Sequence, residues 1–344
     1  MCSACVGGRS GLLPLASNQR LQMTRKGLHP STIAAQALGW VDATTGAVVL
    51  PVHVATTFLR DPDNQYRRGR SYGRAGNPSY DQPQALLTAL EGGADTLLFS
   101  SGMAAAVAVF QCLPREAHVV APRVMYWGLR SWLRTFAERW GIDATFCDMT
   151  SLDELRAAMR PGRTRFVWIE TPANPLWSVT DIGGAAEIAH RAGALLAVDS
   201  TAATPVLTRP LALGADVVMH SATKYLNGHS DVIAGSLTTA RKDEFWERLV
   251  AARSGGGAIL GSFEAYLLLR GMRTLFPRVE RACHSAQQIA EALSAHPRIA
   301  EVLYPGLPTH PGKRGRRAPD DRGLWRNAQR PRRRRGRGGD RRRR

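Results

Sequence analysis

Nowhere in the 344 residues does an apolar run approach the ~18 residues that a membrane-spanning helix needs, and the N-terminus lacks the long apolar segment of a secretion signal. Cysteine is scarce. Cys2, Cys5, Cys112, Cys147 and Cys283 are odd in number and scattered, mostly in apolar helical or strand contexts. That spacing excludes a disulfide scaffold and reads as reduced thiols of a cytoplasmic protein. Cys2 and Cys5 form a C-x-x-C with no second pair and no strand or helix pattern around it, so no metal or redox chemistry is expected there. The glycine-rich "GGRSG" and "RSGGGA" lack the strand-to-helix setting of a nucleotide loop. Acidic residues are also few, 28 against 46 basic, for a net charge of +18. The imbalance is local, however: residues 313–344 hold 16 of the basic residues and three of the acidic ones, which leaves about +5 for residues 1–312. The body of the chain therefore has no nucleic-acid signature.

What is present is a long alternating pattern in a chain of 44% hydrophobic content, enough for one large or two smaller globular domains. "TLLFS", "HVVAP", "ATFCD", "RFVWIE", "ALLAVDS" and "ADVVMHS" are short, nearly continuous apolar runs. Between them lie helical stretches such as "GMAAAVAVFQCL", "LRSWLRTFAERW", "SLDELRAAM" and "IGGAAEIAHRA". Strands of that kind are buried on both faces, so the pattern predicts a mostly parallel sheet covered by helices. Ligands collect outside the carboxyl ends of such strands. Glu170, Asp199, His220 and Ser221 fall at those ends. Helices follow over "DEFWERLVAAR", "SFEAYLLLRGMRTL" and about Pro277 to Ala295, and "IAEVLYPG" reads as the first strand of a second, smaller domain.

In "MHSATKYLNGHSD" a single lysine, Lys224, follows the apolar "ADVVM". A lysine so placed is either at an exposed strand end or an amine kept for chemistry. Candidate partners exist. "AVDST" ends a strand with Asp199, 25 residues before Lys224, and "IETPANP" ends another with Glu170 and Asn174. "SSGMAA" sets Ser101, Gly102 and Met103 at a helix start, whose free N–H groups and dipole favour an anion. An amine, a carboxylate for a ring nitrogen and a phosphate cradle are the parts of a pyridoxal-phosphate site. His220 and His229 flank the lysine and are expected to serve packing and hydrogen bonding.

"DVVMHSATKYLNGHS" resembles the lysine signature of the Cys/Met-metabolism, or transsulfuration, family of pyridoxal-phosphate enzymes, which includes cystathionine gamma-synthases, cystathionine beta- and gamma-lyases and methionine gamma-lyases. The likeness extends over "YGRAGNPSYDQPQALLTALEGGADTLLFSSGMAA", "ETPANPLWSVTDI", "AVDSTAATPVLTRPLALGADVV" and "SFEAYLLLRGMRTL", roughly residues 27 to 312, and is strongest to the gamma-synthase branch. The resemblance implies a type I pyridoxal-phosphate transferase fold, with a seven-stranded, mostly parallel sheet and an incomplete small C-terminal domain. It further implies that Lys224 holds pyridoxal 5'-phosphate covalently and moves protons, and that Asp199 binds the pyridine nitrogen. Tyr126 stacks on the ring and is, with Lys224, an expected catalytic residue. Gly102, Met103, Ser221 and Thr223 are expected at the phosphate, Asn174 near the phenolic oxygen, and Tyr72 and Arg74 at the phosphate of a neighbouring subunit, in a homodimer or homotetramer. Glu170 is left in a supporting role.

The domains expected from these readings are an N-terminal extension over 1–26, an arm over 27–75, a large cofactor-binding domain over 76–275, and a linking helix with the start of a small domain over 276–312. Globular patterning begins near "HPSTIAAQ", which makes Met23 an alternative start. Beyond Gly312 the Arg/Gly/Pro-rich text departs from the family pattern and resembles a GC-rich gene read out of frame. The arginine that grips the substrate carboxylate in the family lies in that missing part. The expected activity is γ-replacement on an O-acylated homoserine by L-cysteine, with lyase chemistry as the alternative and, in another class, an inactive fold whose arginine tail binds polyanions.

Overall fold

The structure is a computed structural model that describes residues 27–313. The expected N-terminal extension and the Arg-rich tail beyond Lys313 lie outside the described residues, as do Cys2 and Cys5. In chain order the described elements are α1 (Pro30–Ala35), α2 (Pro78–Glu91), β1 (Asp95–Phe99), α3 (Gly102–Gln111), β2 (His118–Pro122), α4 (Trp127–Trp140), β3 (Asp143–Cys147) and α5 (Leu152–Ala158). They continue with β4 (Thr164–Glu170), α6 (Ile182–Arg191), β5 (Leu195–Asp199), α7 (Thr204–Leu207), β6 (Val217–His220), β7 (Gly235–Thr239), α8 (Glu244–Gly256), α9 (Ser262–Met272) and α10 (Leu275–Ser294). The strands form a seven-stranded sheet in the order β1-β7-β6-β5-β4-β2-β3. β2–β3, β2–β4 and β4–β5 are parallel, whereas β1–β7 is antiparallel. The expected mostly parallel α/β architecture is therefore present. No helix among the described residues is long and apolar enough to cross a membrane.

Packing divides the described chain into two compact units, residues 27–113 with 219–282, and residues 114–218 with 283–313. In the second unit the core lies between the parallel strands and α6. Val120, Val167, Ile169, Leu196 and Val198 meet Ile182, Ala185 and Ala189, all buried. The small residues of "IGGAAEIA" let α6 lie close to the sheet, and the Asp181 side chain starts it by accepting from the Gly184 N–H at 3.2 Å. His118 is buried between two hydroxyls, Thr164 at 2.8 Å and Thr145 at 2.9 Å. Burial holds its imidazole down to about 4, so it stays neutral in the range where proteins work.

The first unit contains the strand that the sequence pattern does not announce. β7, "GSLTT", carries three buried hydroxyl residues, Ser236, Thr238 and Thr239, and only one large apolar side chain. Two of these hydroxyls are bonded: Thr239 donates to the Arg241 carbonyl at 2.7 Å, and Thr238 pairs across strands. Thr238 Oγ1 lies 2.9 Å from Thr96 Oγ1 on β1, which lies 2.7 Å from Thr88 Oγ1 on α2. Gly235 opens β7 where α3 begins: a Cβ there would lie 2.6 Å from the Ser101 carbonyl carbon and 2.9 Å from Gly102 Cα.

One expected element does not form. Residues 299–304 adopt no strand. A strand needs a partner, and here Tyr304 instead donates its hydroxyl to the Cys283 carbonyl at 3.2 Å while Leu307 is buried.

Gly235→Ala should destabilise the chain by about 1–3 kcal/mol, because the methyl group meets backbone that cannot swing aside. Urea unfolding should show a lower midpoint with unchanged slope. An unchanged midpoint would mean that α3 does not approach β7 this closely.

Candidate active site

The loop between β6 and β7 presents Lys224. The side chain is exposed and lies four residues past the strand, so the apolar "ADVVM" does not enclose it. Its backbone is fixed by a turn. The Lys224 N–H donates to the Ser221 carbonyl at 3.0 Å, and the Lys224 carbonyl accepts from the Gly228 N–H at 2.7 Å. Thr223 closes the loop across its base: its hydroxyl donates to the Ala234 carbonyl at 3.1 Å and accepts from the Ala234 N–H at 3.0 Å. With that proton committed, Thr223 has none to offer an anion unless it turns.

Ser221 faces the start of α3. A Cβ on Gly102 would lie 2.7 Å from the Ser221 Cβ and 2.8 Å from its Oγ. The Ser101 side chain accepts from the Ala104 N–H at 3.0 Å, which leaves the Gly102 and Met103 N–H groups without an intrahelical partner. A hydroxyl and two backbone donors thus converge at the positive end of a helix, in space that any side chain on residue 102 would fill. His220, the last residue of β6, is buried against Glu91, with Nε2 at 2.6 Å from Oε1. His229 Nδ1 donates to the Asn227 carbonyl at 2.7 Å. Both histidines serve the packing and hydrogen-bonding roles expected of them.

The arm residues belong to the same unit. Tyr72 is about half exposed, and the Arg74 guanidinium lies 5.6 Å over its ring while donating to the Ser254 carbonyl. Arg253, only 4% exposed, reaches the Ala75 carbonyl at 3.3 Å and the Leu98 carbonyl at 3.4 Å, so it ties the arm to β1. Sequence reasoning missed Arg253. Its partners are backbone carbonyls, which leave no mark in residue spacing.

The other unit carries the carboxylates. Asp199 ends β5 and Glu170 ends β4, and the parallel register pairs the two residues. Both are buried, at 8% and 9% exposure. Asp199 Oδ1 accepts from the Thr201 N–H at 3.0 Å. Glu170 does more than the supporting role expected of it. Oε2 accepts from the Tyr126 N–H at 2.7 Å and Oε1 from the Asn174 N–H at 3.0 Å. One side chain therefore holds the two loops that present Tyr126 and Asn174. The Tyr126 ring is 43% exposed and folds over the start of α4, where a Cβ on Gly128 would lie 2.8 Å from its Cε1. Glu170 also lines a cleft of about 170 Å³ with Pro122, Arg123, Met149 and Thr180 at the carboxyl ends of β2, β3 and β4.

These residues fit pyridoxal phosphate. Taken unit by unit, the first offers helix-start N–H groups beside the Ser221 hydroxyl and the exposed Lys224 amine, and the second a buried Asp199 carboxylate and a half-exposed Tyr126 ring, the residue types that this cofactor uses. Among the described residues no cluster of His, Cys, Asp and Glu has the arrangement of a metal site.

A family model described as Cys/Met metabolism PLP-dependent enzyme matches residues 31–317. The cystathionine gamma-synthase of Mycobacterium tuberculosis is 43% identical over 284 residues, covering 82% of this chain and 73% of the relative. The cystathionine gamma-lyase of Bacillus subtilis is 42% identical over 271 residues, covering 79% and 71%. Among solved structures, metB from Corynebacterium glutamicum matches with a TM-score of 0.79 at 38% identity, covering 84% of this chain and 74% of that one. The cystathionine gamma synthase of Xanthomonas oryzae pv. oryzae, in complex with aminoacrylate and cysteine, matches with a TM-score of 0.78 at 36% identity, covering 83% and 73%.

Burial, and secondly the Asp199 carboxylate beside it, pushes the Glu170 carboxyl up from the ordinary 4.5 to about 8, against the pull of its two N–H donors. Between these values the folded chain keeps a proton that the unfolded chain has released. Stability from this group is thus whole below about 4.5 and is lost as pH rises to about 8. Neutral buried His118 acts in the opposite sense between about 4 and 6.5, so in the cofactor-free chain the urea midpoint should fall chiefly between about 6.5 and 8, and Glu170→Gln should remove most of that fall. Equal slopes in the two proteins would assign the titration elsewhere.

Proposed function

Because the chain belongs to the Cys/Met metabolism PLP-dependent enzymes, it is an enzyme that uses pyridoxal phosphate, and we propose that it is a cytoplasmic gamma-synthase joining L-cysteine to an O-acylated homoserine. The observation that carries the choice is the 43% identity to the mycobacterial cystathionine gamma-synthase over 82% of this chain. The cysteine in the Xanthomonas complex supports a thiol amino acid as second substrate. Lyase chemistry on cystathionine is the second reading, favoured by the 42% identity to the Bacillus gamma-lyase.

Bound pyridoxal phosphate supplies an electron sink conjugated to the substrate's Cα. The chain's own residues do the rest. Lys224 would hold the cofactor through its amine and, as a free amine, would accept the proton from the substrate's Cα. Its exposure and its position on a loop held by two turn hydrogen bonds give it both reach and a fixed origin. Asp199 holds a proton on the ring nitrogen, which strengthens the sink. Gly102, Met103 and Ser221 bind the phosphate through N–H groups and a hydroxyl, and Thr223 keeps the loop closed. Tyr126 covers the ring face, an aromatic contact worth ~0.5–1.5 kcal/mol beyond its burial. Asn174 orients the phenolic oxygen. Tyr72 and Arg74 serve the phosphate in a neighbouring subunit, in a homodimer or homotetramer. The bond from Arg74 to the Ser254 carbonyl in its own chain uses only one of the guanidinium's five N–H donors.

Two assays separate the readings. The chain supplied with O-acylhomoserine and cysteine should form cystathionine faster than the chain supplied with cystathionine releases 2-oxo acid. The reverse order would reassign it as a lyase.

Borohydride reduction of the loaded protein followed by peptide mass analysis should place the pyridoxyl group on Lys224. Lys224→Ala should carry no label while its circular dichroism stays that of the parent, because an exposed loop amine contributes nothing to the core. Label on another lysine would overturn the assignment.

A further inference from the structure

The loop that carries Lys224 returns to the sheet fourteen residues after leaving it, from His220 to Gly235, and something must hold its far side. Among the described residues that place belongs to Arg278 on α10. Its Nη1 donates to the Tyr225 carbonyl, next to the lysine, at 2.8 Å. Its Nη2 donates to the Gly271 carbonyl at the end of α9, also at 2.8 Å. Its Nε donates to Thr274 Oγ1 at 3.0 Å. One planar group thus joins the lysine loop to the ends of two helices, in a fork geometry that an ammonium cannot reproduce.

The surrounding backbone is shaped for this group. Gly228 has φ +74°, and a Cβ there would fall into the Arg278 guanidinium, 2.9 Å from Nη2 and nearer still to Nη1 and Cζ. Gly271 meets the loop from the other side, where a Cβ would lie 2.8 Å from the Asn227 carbonyl carbon. Two glycines therefore leave the space in which the guanidinium and the loop lie against each other. All three recorded partners of Arg278 are uncharged oxygens. Partial burial pulls its pKa downward, so the charge is held there at some cost to stability. An interaction kept at such a cost is better explained by geometry than by adhesion.

We propose that Arg278 is a positioning residue that fixes the backbone of the Lys224 loop and so sets where the lysine amine stands relative to the cofactor. The inference rests on the reading of Lys224 as the cofactor's lysine. Arg278 touches neither the reacting atoms nor the cofactor; it acts through Tyr225, Asn227 and Gly228. The amine of an untethered loop would still react, but from a spread of positions.

The test uses the full chain with Arg278→Lys and, as a second variant, Arg278→Ala with and without millimolar guanidinium ion. Hydrogen exchange of the cofactor-free protein is read at residues 225–228. Borohydride trapping then gives the rate at which added pyridoxal phosphate attaches to Lys224. Both variants should exchange about tenfold faster at those amides and attach the cofactor about tenfold more slowly, with the amides of β1 and β7 unchanged. Guanidinium ion should restore protection and attachment in Arg278→Ala but not in the parent. Exchange and attachment equal to the parent's in folded variants would overturn the proposal and leave Lys224 in place. Equal loss of protection across β1 and β7 would also overturn it, by making Arg278 a general stabiliser. Trapping at a lysine other than Lys224 in the parent would remove the reading beneath it, which the peptide masses report separately.

Discussion

The parallel register of β4 and β5 is the constraint from which the carboxylate half of the site follows. Parallel strands end on the same edge of a sheet, and this pair ends residue for residue, Glu170 against Asp199. Two buried carboxyls placed side by side cannot both ionise freely, and the structure resolves the conflict by giving them different work. Asp199 accepts the N–H of Thr201 in the turn that follows β5. Glu170, pushed toward its neutral form, spends both oxygens on the backbone of loops that follow β2 and β4. The loops that carry Tyr126 and Asn174 are thereby held by a strand end as well as by their own turns. This is how a sheet lends rigidity to residues that must lie outside it.

Much of this was legible in the sequence, for definite reasons. Strands buried on both faces are written as apolar runs, so β1 to β6 stand out. Helix starts are written as side-chain caps at Asn77, Ser101, Asp181 and Asp243. The placing of Asp199 at a strand end and of Lys224 on the loop after one was legible because each follows an apolar run. β7 was missed because its buried positions include Ser236, Thr238 and Thr239, of which Thr238 pairs with Thr96 across strands, and no periodicity of apolar residues reports such a strand. The opposite error fell on "IAEVLYPG", whose residues suit a strand but find no partner among the described residues.

The positioning residues escaped for a different reason. Glu170, Arg253 and Arg278 act on backbone N–H and carbonyl groups, which every residue possesses, so no partner residue type marks them. What could have marked Arg278 is the pair of glycines around it. A glycine in a loop usually reads as freedom to turn, yet Gly228 and Gly271 are also places where a side chain is excluded so that other groups can approach.

The antiparallel pairing of β1 with β7 sets an order for the birth of the protein. On a ribosome adding roughly 5–20 residues per second, Phe99 leaves the exit tunnel on the order of ten seconds before Gly235, its register partner, exists. During that interval β1 has an unsatisfied backbone edge and a run of apolar side chains in water. The carboxylate unit's parallel strands β2 to β5 are all synthesised inside the same interval. Within the described residues the unit bearing the lysine is thus begun first and resumed only at residue 219, so its nascent half waits unpaired while residues 114–218 are made. A pairing between segments so far apart in the chain is a slow step that folding must leave until late.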